Sequence, residues 1–436
     1  MTDRLWQKEG LAGADDEVQT FLAGEDVLLD RHLIVFDIRA TVAHVNGLGQ
    51  IGIVDPDEQG ALVSGLEALA AEVEQGTFVL GPPHEDGHSA IEAYLTERLG
   101  PLGGKVHTGR SRNDQVQTAL RLYLRDRLDQ LAAVLLDIAG ALLSRARQDE
   151  MTVMPGYTHL QRAMPSTVGL WLGGLAEAFT DIAELAQLTR RWMNSSPLGT
   201  AAGYGVNLPL ARDAVAEELN FDRLQLNPQY VQNSRGRFEL QAVTALAQAT
   251  LELRRLAWDL SLYVSEEFQF LSLPQRYVTG SSIMPNKANP DTVELLRARH
   301  AVVAGALAEL QAALSLPSGY QRDLQVTKPP VIRAFESVLP ALRLVPELVT
   351  DMTLHRDRMA AAIDSAMFAT DIAVDAAREG IPFRDAYRSA MGEDASARSA
   401  EDSVRTRVSP GACADLRLDE LSARWKKLRA AAGPAR

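Results

Sequence analysis

The sequence has almost no cysteine and no long apolar run. Cys413 is the one cysteine among 436 residues, which excludes an intramolecular disulfide and a cysteine metal cluster. No uncharged apolar stretch approaches the ~20 residues that a membrane-spanning helix needs. Residues 1–8 lack the apolar core of a secretion signal. These absences lead us to expect a protein of the reducing cytoplasm.

Basic residues are fewer than acidic residues in this chain. The chain has 44 Lys and Arg residues against 57 Asp and Glu residues, a formal net charge of −13. This excess argues against nucleic acid or an acidic membrane as a partner. It leaves an anionic small-molecule substrate possible, because a site can be locally basic inside an acidic protein.

Proline is absent between Val106 and Val153, and this segment has the apolar period of a long helix. Steps of three and four residues are the pattern of a helix-bundle seam. They separate Leu120, Leu124, Leu128, Leu131, Leu135, Ile138 and Leu142. The segment therefore predicts a helix of about 35 residues, ~50 Å long at the α-helical rise.

Further long helices are predicted at about 166–193, 238–268 and 291–314, and a fifth after Pro329 and Pro330. Average helices have about 11–12 residues, so helices of this length indicate an extended bundle. Strand-like alternation is nearly absent, and we predict an all-α fold with small hairpins in loops at most.

The pattern of helix lengths predicts three parts. Residues 1–108 contain shorter helices interrupted by glycine and proline and form an N-terminal helical domain. Residues 109–357 form the central long-helix bundle, with the loops that carry chemistry. Residues 358–436 return to short helices and form a small C-terminal domain with a tail.

The first polar loop, residues 107–114, directly precedes the first long helix and reads His-Thr-Gly-Arg-Ser-Arg-Asn-Asp. Two arginines and an asparagine at a helix start suit a carboxylate ligand, because guanidinium binds carboxylate bidentately. The loop could equally be a helix cap formed by Asn113 or Asp114. The same loop could cap the helix and bind a carboxylate.

The second loop, residues 154–161, contains His159 between Thr158 and Gln161. Histidine titrates near neutrality, so His159 is a candidate for proton transfer. Glu294 could orient it, as carboxylates do for other histidines. The alternatives are a structural hydrogen bond for the histidine and a solvated first-turn position for the glutamate.

The third loop is Gly-Ser-Ser-Ile-Met-Pro-Asn-Lys-Ala-Asn-Pro at 280–290. Its glycine and prolines keep it from becoming helix, and a strongly helical segment begins at about Asp291. Lys287 and the backbone N–H groups at that helix start would attract an anion. For Gly-Ser-Ser alone, a flexible linker would be the better interpretation.

Two other polar segments are less specific. Residues 84–88 read His-Glu-Asp-Gly-His, but their spacing matches no metal-ligand pattern. We predict instead the first turn of a helix beginning near His88. Residues 319–328 suit either a solvated loop or a polar, zwitterionic ligand.

The whole 280–290 string closely resembles the signature loop of the fumarase/aspartase superfamily, whose members release fumarate by elimination. The strings at 107–114, 155–161 and 319–328 are similar to those of its argininosuccinate lyase branch. The resemblance covers nearly the whole chain. It implies a homotetramer with a twenty-helix core, active sites shared between subunits, a small-molecule substrate, and no metal or organic cofactor.

The resemblance also implies a reversible elimination that yields arginine and fumarate. Ser281 would take the proton, Lys287 and Asn289 would hold the carboxylate that gains charge, and His159 with Glu294 would assist the departing guanidinium. Substrate contacts would come from Ser111, Arg112, Asn113, Thr158, Ser282, Asn289, Tyr320, Gln325 and Lys328.

The chain departs from the family pattern at two places of interest. Gly24 ends a Phe-Leu-Ala-Gly stretch where many members have a substrate-contacting serine, and Gly236-Arg237 stands where most have Arg-Asp. Two alternatives therefore stay open. One is a sister lyase for another succinyl-amine substrate, and the other is a non-catalytic structural protein of the delta-crystallin kind.

Overall fold

The computed structural model describes residues 16–81, 84–314, 316–390, 395 and 398–432. Helices dominate this part of the chain. In chain order the α-helices are α1 Asp16–Ala23, α2 Asp26–Leu29, α3 Ile34–Gln50, α4 Pro56–Glu74, α5 Gly87–Leu99, α6 Pro101–Gly104, α7 Arg112–Gln148, α8 Val168–Met193, α9 Arg212–Glu218, α10 Pro228–Asn233, α11 Arg237–Tyr263, α12 Asp291–Ala313, α13 Lys328–Arg343, α14 Val345–Asp351, α15 Arg356–Ala361, α16 Ala369–Arg378, α17 Phe383–Ala390, α18 Ala400–Arg405 and α19 Leu418–Ala432.

Short 3₁₀ helices and strands complete the described elements. The 3₁₀ helices are Asp30–His32, Lys105–His107, Gln275–Tyr277, Arg322–Thr327 and Ser365–Phe368. The strands are β1 Val153–Thr158, β2 Gln161–Thr167, β3 Ser195–Ser196, β4 Arg223–Leu224, β5 Leu271–Ser272 and β6 Thr353–Leu354. They form three two-stranded sheets: antiparallel β1–β2, parallel β3–β4 and antiparallel β5–β6. The all-α prediction is confirmed. β1–β2 is a small hairpin as predicted, whereas the other two sheets join strands that are distant in the sequence.

The predicted long helices are present, with two differences at their ends. α7 has 37 residues and α8 ends at Met193, as predicted. α11 ends at Tyr263 rather than near Phe268, because the chain turns back and Phe268 and Phe270 pack on the Tyr263 ring, with centroids 6.2 and 5.6 Å away.

The other difference concerns the fifth long helix. α13 begins at Lys328, before the two prolines rather than after them. A proline fits the first turn of a helix because its missing N–H would have no partner there.

The described chain divides into two compact units, each made of several segments. Unit 1 comprises residues 1–127, 190–241 and 308–333, and unit 2 comprises 128–189, 242–307 and 334–436. α7, α11, α12 and α13 each contribute residues to both units. The three-part division made from the sequence stays a prediction.

Unit 1 has an apolar core between α3, α4 and α5. Leu48, Leu62, Leu66 and Leu95 are fully buried in it. Complete burial of a leucine side chain contributes roughly 1.5–3 kcal/mol. This core fixes the N-terminal end of α5, which borders the cavity described below.

In unit 2 an aromatic cluster supports the hairpin that carries His159. Tyr157 of β1 packs edge-on against Phe268, with ring centroids 5.5 Å apart, and Trp171 packs against Tyr263 at 5.1 Å. A Cβ at Gly156 would lie 2.8 Å from the carbonyl oxygen of Met164, so this position requires glycine. The hairpin is thereby fixed close to its tip.

None of the helices in the described ranges combines the length and apolar character that crossing a membrane requires.

Candidate active site

A cavity of about 340 Å³ in unit 1 collects five of the predicted substrate residues. Arg112 and Asn113 come from the first turn of α7, and the others come from the segment before and at the start of α13. They are Arg112, Asn113, Tyr320, Gln325 and Lys328. Segments about 200 residues apart in the sequence are therefore brought to one cavity.

Sequence reasoning missed most of the charged side chains that line this cavity. They comprise four carboxylates and three further basic or titratable groups: Asp26, Asp30, Glu85, Asp86, Arg235, Arg322 and His88. The sequence does contain a pattern that connects Asp26 and Asp30. They are four residues apart, and residues with this spacing lie on the same face of a helical segment. Glu85, Asp86 and His88 had been considered only as metal ligands or as a helix start.

Lys328 is the most deeply buried cation of the cavity wall. Its Nζ lies 2.7 Å from Oδ1 of Asp30 and 3.1 Å from Oδ1 of Asp26. Burial alone would lower the pKa of Lys328, but the two carboxylates outweigh it and raise that pKa. Lys328 is therefore a fixed ammonium whose charged form is stabilised by the two neighbouring carboxylates.

The 84–88 segment forms the helix start that was predicted. Asp86 caps α5 by accepting a hydrogen bond from the backbone N–H of Ser89 at 2.8 Å. Arg112 donates to Glu85 at 3.3 Å and lies 3.4 Å from Asp86. The segment thus holds Arg112 beside the cavity, and the described residues contain no set of side chains grouped to bind a metal ion.

Ser111 does not line the cavity; it forms the start of α7. Its Oγ accepts a hydrogen bond from the N–H of Asn113 at 3.3 Å, and its own N–H donates to Oδ1 of Asp114 at 3.0 Å. The start of α7 is therefore capped, but Ser111 precedes the helix and Asp114 lies in its first turn, so the cap residue is neither Asn113 nor Asp114 as expected. Capping holds Arg112 and Asn113 in place at the cavity wall.

His88 makes a buried ion pair at the cavity wall. Its Nδ1 lies 2.5 Å from Oδ2 of Asp37, and Asp37 also accepts from Nε2 of Gln115 at 3.2 Å. Burial by itself would lower the pKa of His88. Asp37, then Asp86 and Asp30, more than compensate, so the pKa is raised above 6.5. The imidazolium is the favoured form in the folded state.

This ion pair predicts a stability that falls with pH. The contribution of His88 is complete below its unfolded pKa, about 6.5, and is lost as pH rises through the higher folded value. We expect the difference in unfolding free energy between the parent protein and His88→Gln to shrink as pH rises above about 6.5. Urea titrations of both proteins at a series of pH values from about 6.5 upward measure this difference. A constant difference would contradict the raised pKa.

In unit 2 the residues of the 280–290 loop project from the surface. Thr279 and Asn289 close the loop at its base through two backbone hydrogen bonds of 2.9 and 2.8 Å. The hydroxyl of Thr279 also donates to the carboxylate of Asp291 at the start of α12. Between these points Ser282 and Lys287 are exposed, and Ile283 is 82% exposed.

Ser281 has a distinct environment within this loop. Its Oγ accepts backbone N–H bonds from Met284 at 3.0 Å and from Ile283 at 3.3 Å. Two donors aimed at one hydroxyl oxygen stabilise negative charge on that oxygen.

Thr158 and His159 lie at the tip of the β1–β2 hairpin. The two turn residues, His159 and Leu160, have φ values of 55° and 58°, as a two-residue type I′ turn requires. Positive φ is strained for a bulky residue such as Leu160, which is also 71% exposed. In this turn the side chain of His159 is exposed.

The predicted pairing of His159 with Glu294 stays a prediction. The Glu294 carboxylate lies 3.5 Å from Nη2 of Arg297, one turn further along α12. In the part of the chain that the structure describes, the imidazole of His159 has no hydrogen-bond partner. The structure therefore groups the candidate residues into one cavity in unit 1 and two surface projections in unit 2.

Comparisons with known proteins define the class. A family model described as Lyase matches residues 19–305. Among solved structures, EDDS lyase in complex with formate aligns with a TM-score of 0.79 and 24% identity, covering 97% of this chain and 92% of that one. A class II fumarase from Schistosoma mansoni aligns with a TM-score of 0.73 and 17% identity, covering 94% of each chain. The chain has the fumarase/aspartase fold and belongs to the Lyase family.

A curated relative defines the branch. An argininosuccinate lyase from Xanthomonas campestris pv. campestris (strain B100) is 54% identical over 432 residues, covering 98% of this chain and all of the relative. The chain therefore belongs to the argininosuccinate lyase family, a family of carbon–nitrogen lyases. The resemblance read from the loops is confirmed.

Proposed function

We propose that the protein cleaves argininosuccinate reversibly into arginine and fumarate, as a cytoplasmic enzyme of arginine biosynthesis. The observation that carries this proposal is the unit 1 cavity, which combines four carboxylates with four cations, Arg112, Arg235, Arg322 and Lys328. Argininosuccinate carries carboxylates, an ammonium group and a guanidinium group. A wall with both signs of charge can pair each of them.

The elimination breaks a C–N bond and removes a proton from the neighbouring carbon, which is also bonded to a carboxylate. We propose that the Ser281 oxygen takes this proton. Its two backbone N–H donors stabilise the alkoxide form that the step requires. The electron pair left on carbon forms the double bond of fumarate as the guanidino nitrogen departs.

Lys287 and Asn289 would bind the carboxylate that gains charge while the proton leaves. Both lie on the same loop as Ser281, so one loop would deliver the base and its electrostatic support. His159, next to Thr158 and oriented by Glu294, would protonate the departing nitrogen directly or through water. Ser282 and Thr158 would add hydrogen bonds to the substrate.

A coupled assay for fumarate tests the proposed function. Purified protein mixed with argininosuccinate should release fumarate, seen as ultraviolet absorbance, and arginine in equal amounts. Adenylosuccinate and other succinyl-amines serve as comparison substrates. Turnover of one of those and not of argininosuccinate would favour the sister-lyase alternative. Absence of turnover with every succinyl-amine would favour the structural-protein alternative.

We also propose that the protein is a homotetramer whose active sites are shared between subunits. Exposed side chains on the long helices support this, because an unpartnered apolar face needs a neighbour. They include Leu170 and Leu188 of α8, Leu251 and Trp258 of α11, and Leu295 of α12. His159 and Lys287 are also exposed, as residues that complete a site in another subunit would be.

Sedimentation and complementation test this assembly. The protein should sediment as a tetramer, and mixing inactive His159→Asn with inactive Ser281→Ala subunits should restore activity. If the two residues of a site come from different subunits, roughly a quarter of the sites would be intact after random exchange. Each variant mixed with itself is the control. A stable, active monomer would contradict the proposal.

A further inference from the structure

Asp26 lines the cavity and has no role in the mechanism proposed above. It is the first residue of α2, and its Oδ1 lies 3.1 Å from Nζ of Lys328. Its side chain is 20% exposed and lines the cavity with Tyr320 and Gln325. In the described chain its second carboxylate oxygen has no hydrogen-bond partner. Asp26 therefore presents an acceptor to the cavity.

Asp30 uses both of its carboxylate oxygens inside the protein, whereas Asp26 uses one. The Oδ1 of Asp30 lies 2.7 Å from Lys328, and its Oδ2 accepts the backbone N–H of Gly87 at 2.9 Å. Lys328 therefore pairs with both carboxylates, at 2.7 Å with Asp30 and at 3.1 Å with Asp26. In the described chain Asp26 keeps one carboxylate oxygen open to the cavity, and that oxygen can accept a hydrogen bond from a cationic ligand group.

The backbone before Asp26 is held so that the side chain faces the cavity. Leu22 and Ala23, at the end of α1, accept hydrogen bonds from Nε2 of Gln325 at 3.1 and 3.3 Å. Gly24 then turns the chain with a φ of 54°. Gly24 has no side chain to offer a ligand where many family members have serine. Asp26, two residues further on, is the polar group of this segment that reaches the cavity.

An adjacent carboxylate and ammonium are the complement of an amino-acid head group, which carries the same two charges in reverse. We propose that Asp26 is a specificity-determining residue that binds the α-ammonium group of the arginine moiety, while Lys328 or Arg235 pairs with the α-carboxylate. This inference rests on the proposed function and names one contact within it.

Burial is the largest influence on the pKa of the Asp26 carboxyl group and raises it, whereas the positive charge of Lys328 lowers it. A bound ammonium would favour the ionised form and lower that pKa. Arginine binding should therefore strengthen as pH rises through the acid range, and this pH dependence should disappear when the carboxyl group is replaced.

The test compares Asp26→Asn with Glu25→Gln. Asn keeps the shape of Asp26 and removes its charge; Glu25 is an exposed neighbour outside the cavity, so its variant is the control for charge and folding. We expect Asp26→Asn to raise KM for argininosuccinate and weaken arginine binding about 10- to 100-fold, with kcat changed little. Fumarate binding, and binding of a deaminated arginine that lacks the α-ammonium, should be unaffected.

The outcomes separate this inference from the proposed function. If the parent protein releases fumarate while Asp26→Asn binds arginine as the parent does, the contact with Asp26 is wrong and the function stands. Equal weakening of arginine and its deaminated analogue would make Asp26 a support for Lys328 and would also overturn the inference. If the parent protein releases no fumarate, the proposed function fails. Calorimetry with arginine then still tests whether Asp26 binds the ammonium group. Failure of the parent protein to bind arginine would overturn both the function and the inference.

Discussion

Replacing Ser281 with alanine should lower kcat by about 10²–10⁴-fold, the range that general-base catalysis contributes. The variant loses the one oxygen of the loop that receives two backbone N–H bonds, from Ile283 and Met284. Arginine and fumarate binding should change little, because the substitution removes one hydroxyl and leaves the unit 1 cavity, Lys287 and Asn289 in place. Single-turnover kinetics and calorimetry with arginine measure the two effects separately.

Ser282→Ala is the matched comparison for Ser281. It removes a neighbouring hydroxyl from the same loop, but the structure aims no pair of backbone donors at that oxygen. We expect a loss of about tenfold or less, mainly in KM, as for removal of a single substrate hydrogen bond. If Ser281→Ala and Ser282→Ala behave alike, the base is another group and the donors to Ser281 have a purely structural role.

Asp114→Ala should produce the largest loss of stability among single substitutions near the cavity. The Asp114 carboxylate is completely buried and accepts three backbone N–H bonds, from Ser111 at 3.0 Å, Gly199 at 3.0 Å and Ala201 at 2.8 Å. Each buried donor left without an acceptor costs about 1–3 kcal/mol. We expect a loss of about 3–5 kcal/mol in the free energy of unfolding, measured by urea titration.

Asp137→Ala is the control on the same helix. Asp137 is 44% exposed on α7 and pairs with Arg429 at 2.9 Å. Exposed ion pairs of this kind contribute about 0–1 kcal/mol. A loss for Asp114→Ala no greater than that for Asp137→Ala would show that water replaces the lost carboxylate. The turn at Gly199 to Ala201 would then not depend on α7.

The sequence by itself determined the helical class, the long helices and the position of the polar loops. Helical periodicity is a local property: each step of three or four residues returns an apolar side chain to the same face, so Leu120 to Leu142 suffice to predict α7. Prolines and glycines act locally as well, and α12 begins at Asp291, directly after the 280–290 string, as predicted. The loops were also specific enough to identify the family.

Only the tertiary structure decided which charged residues meet. About 300 residues separate Lys328 from Asp26 and Asp30. Nothing local to either segment indicates that Lys328 is buried between two carboxylates. Likewise His88 pairs with Asp37 across 51 residues, where the sequence showed only a helix start. Which side chains become neighbours, and hence which charges are stabilised, follows from the packing of α2, α5 and α13 around one cavity, because electrostatic energy depends on distance and burial and not on sequence separation.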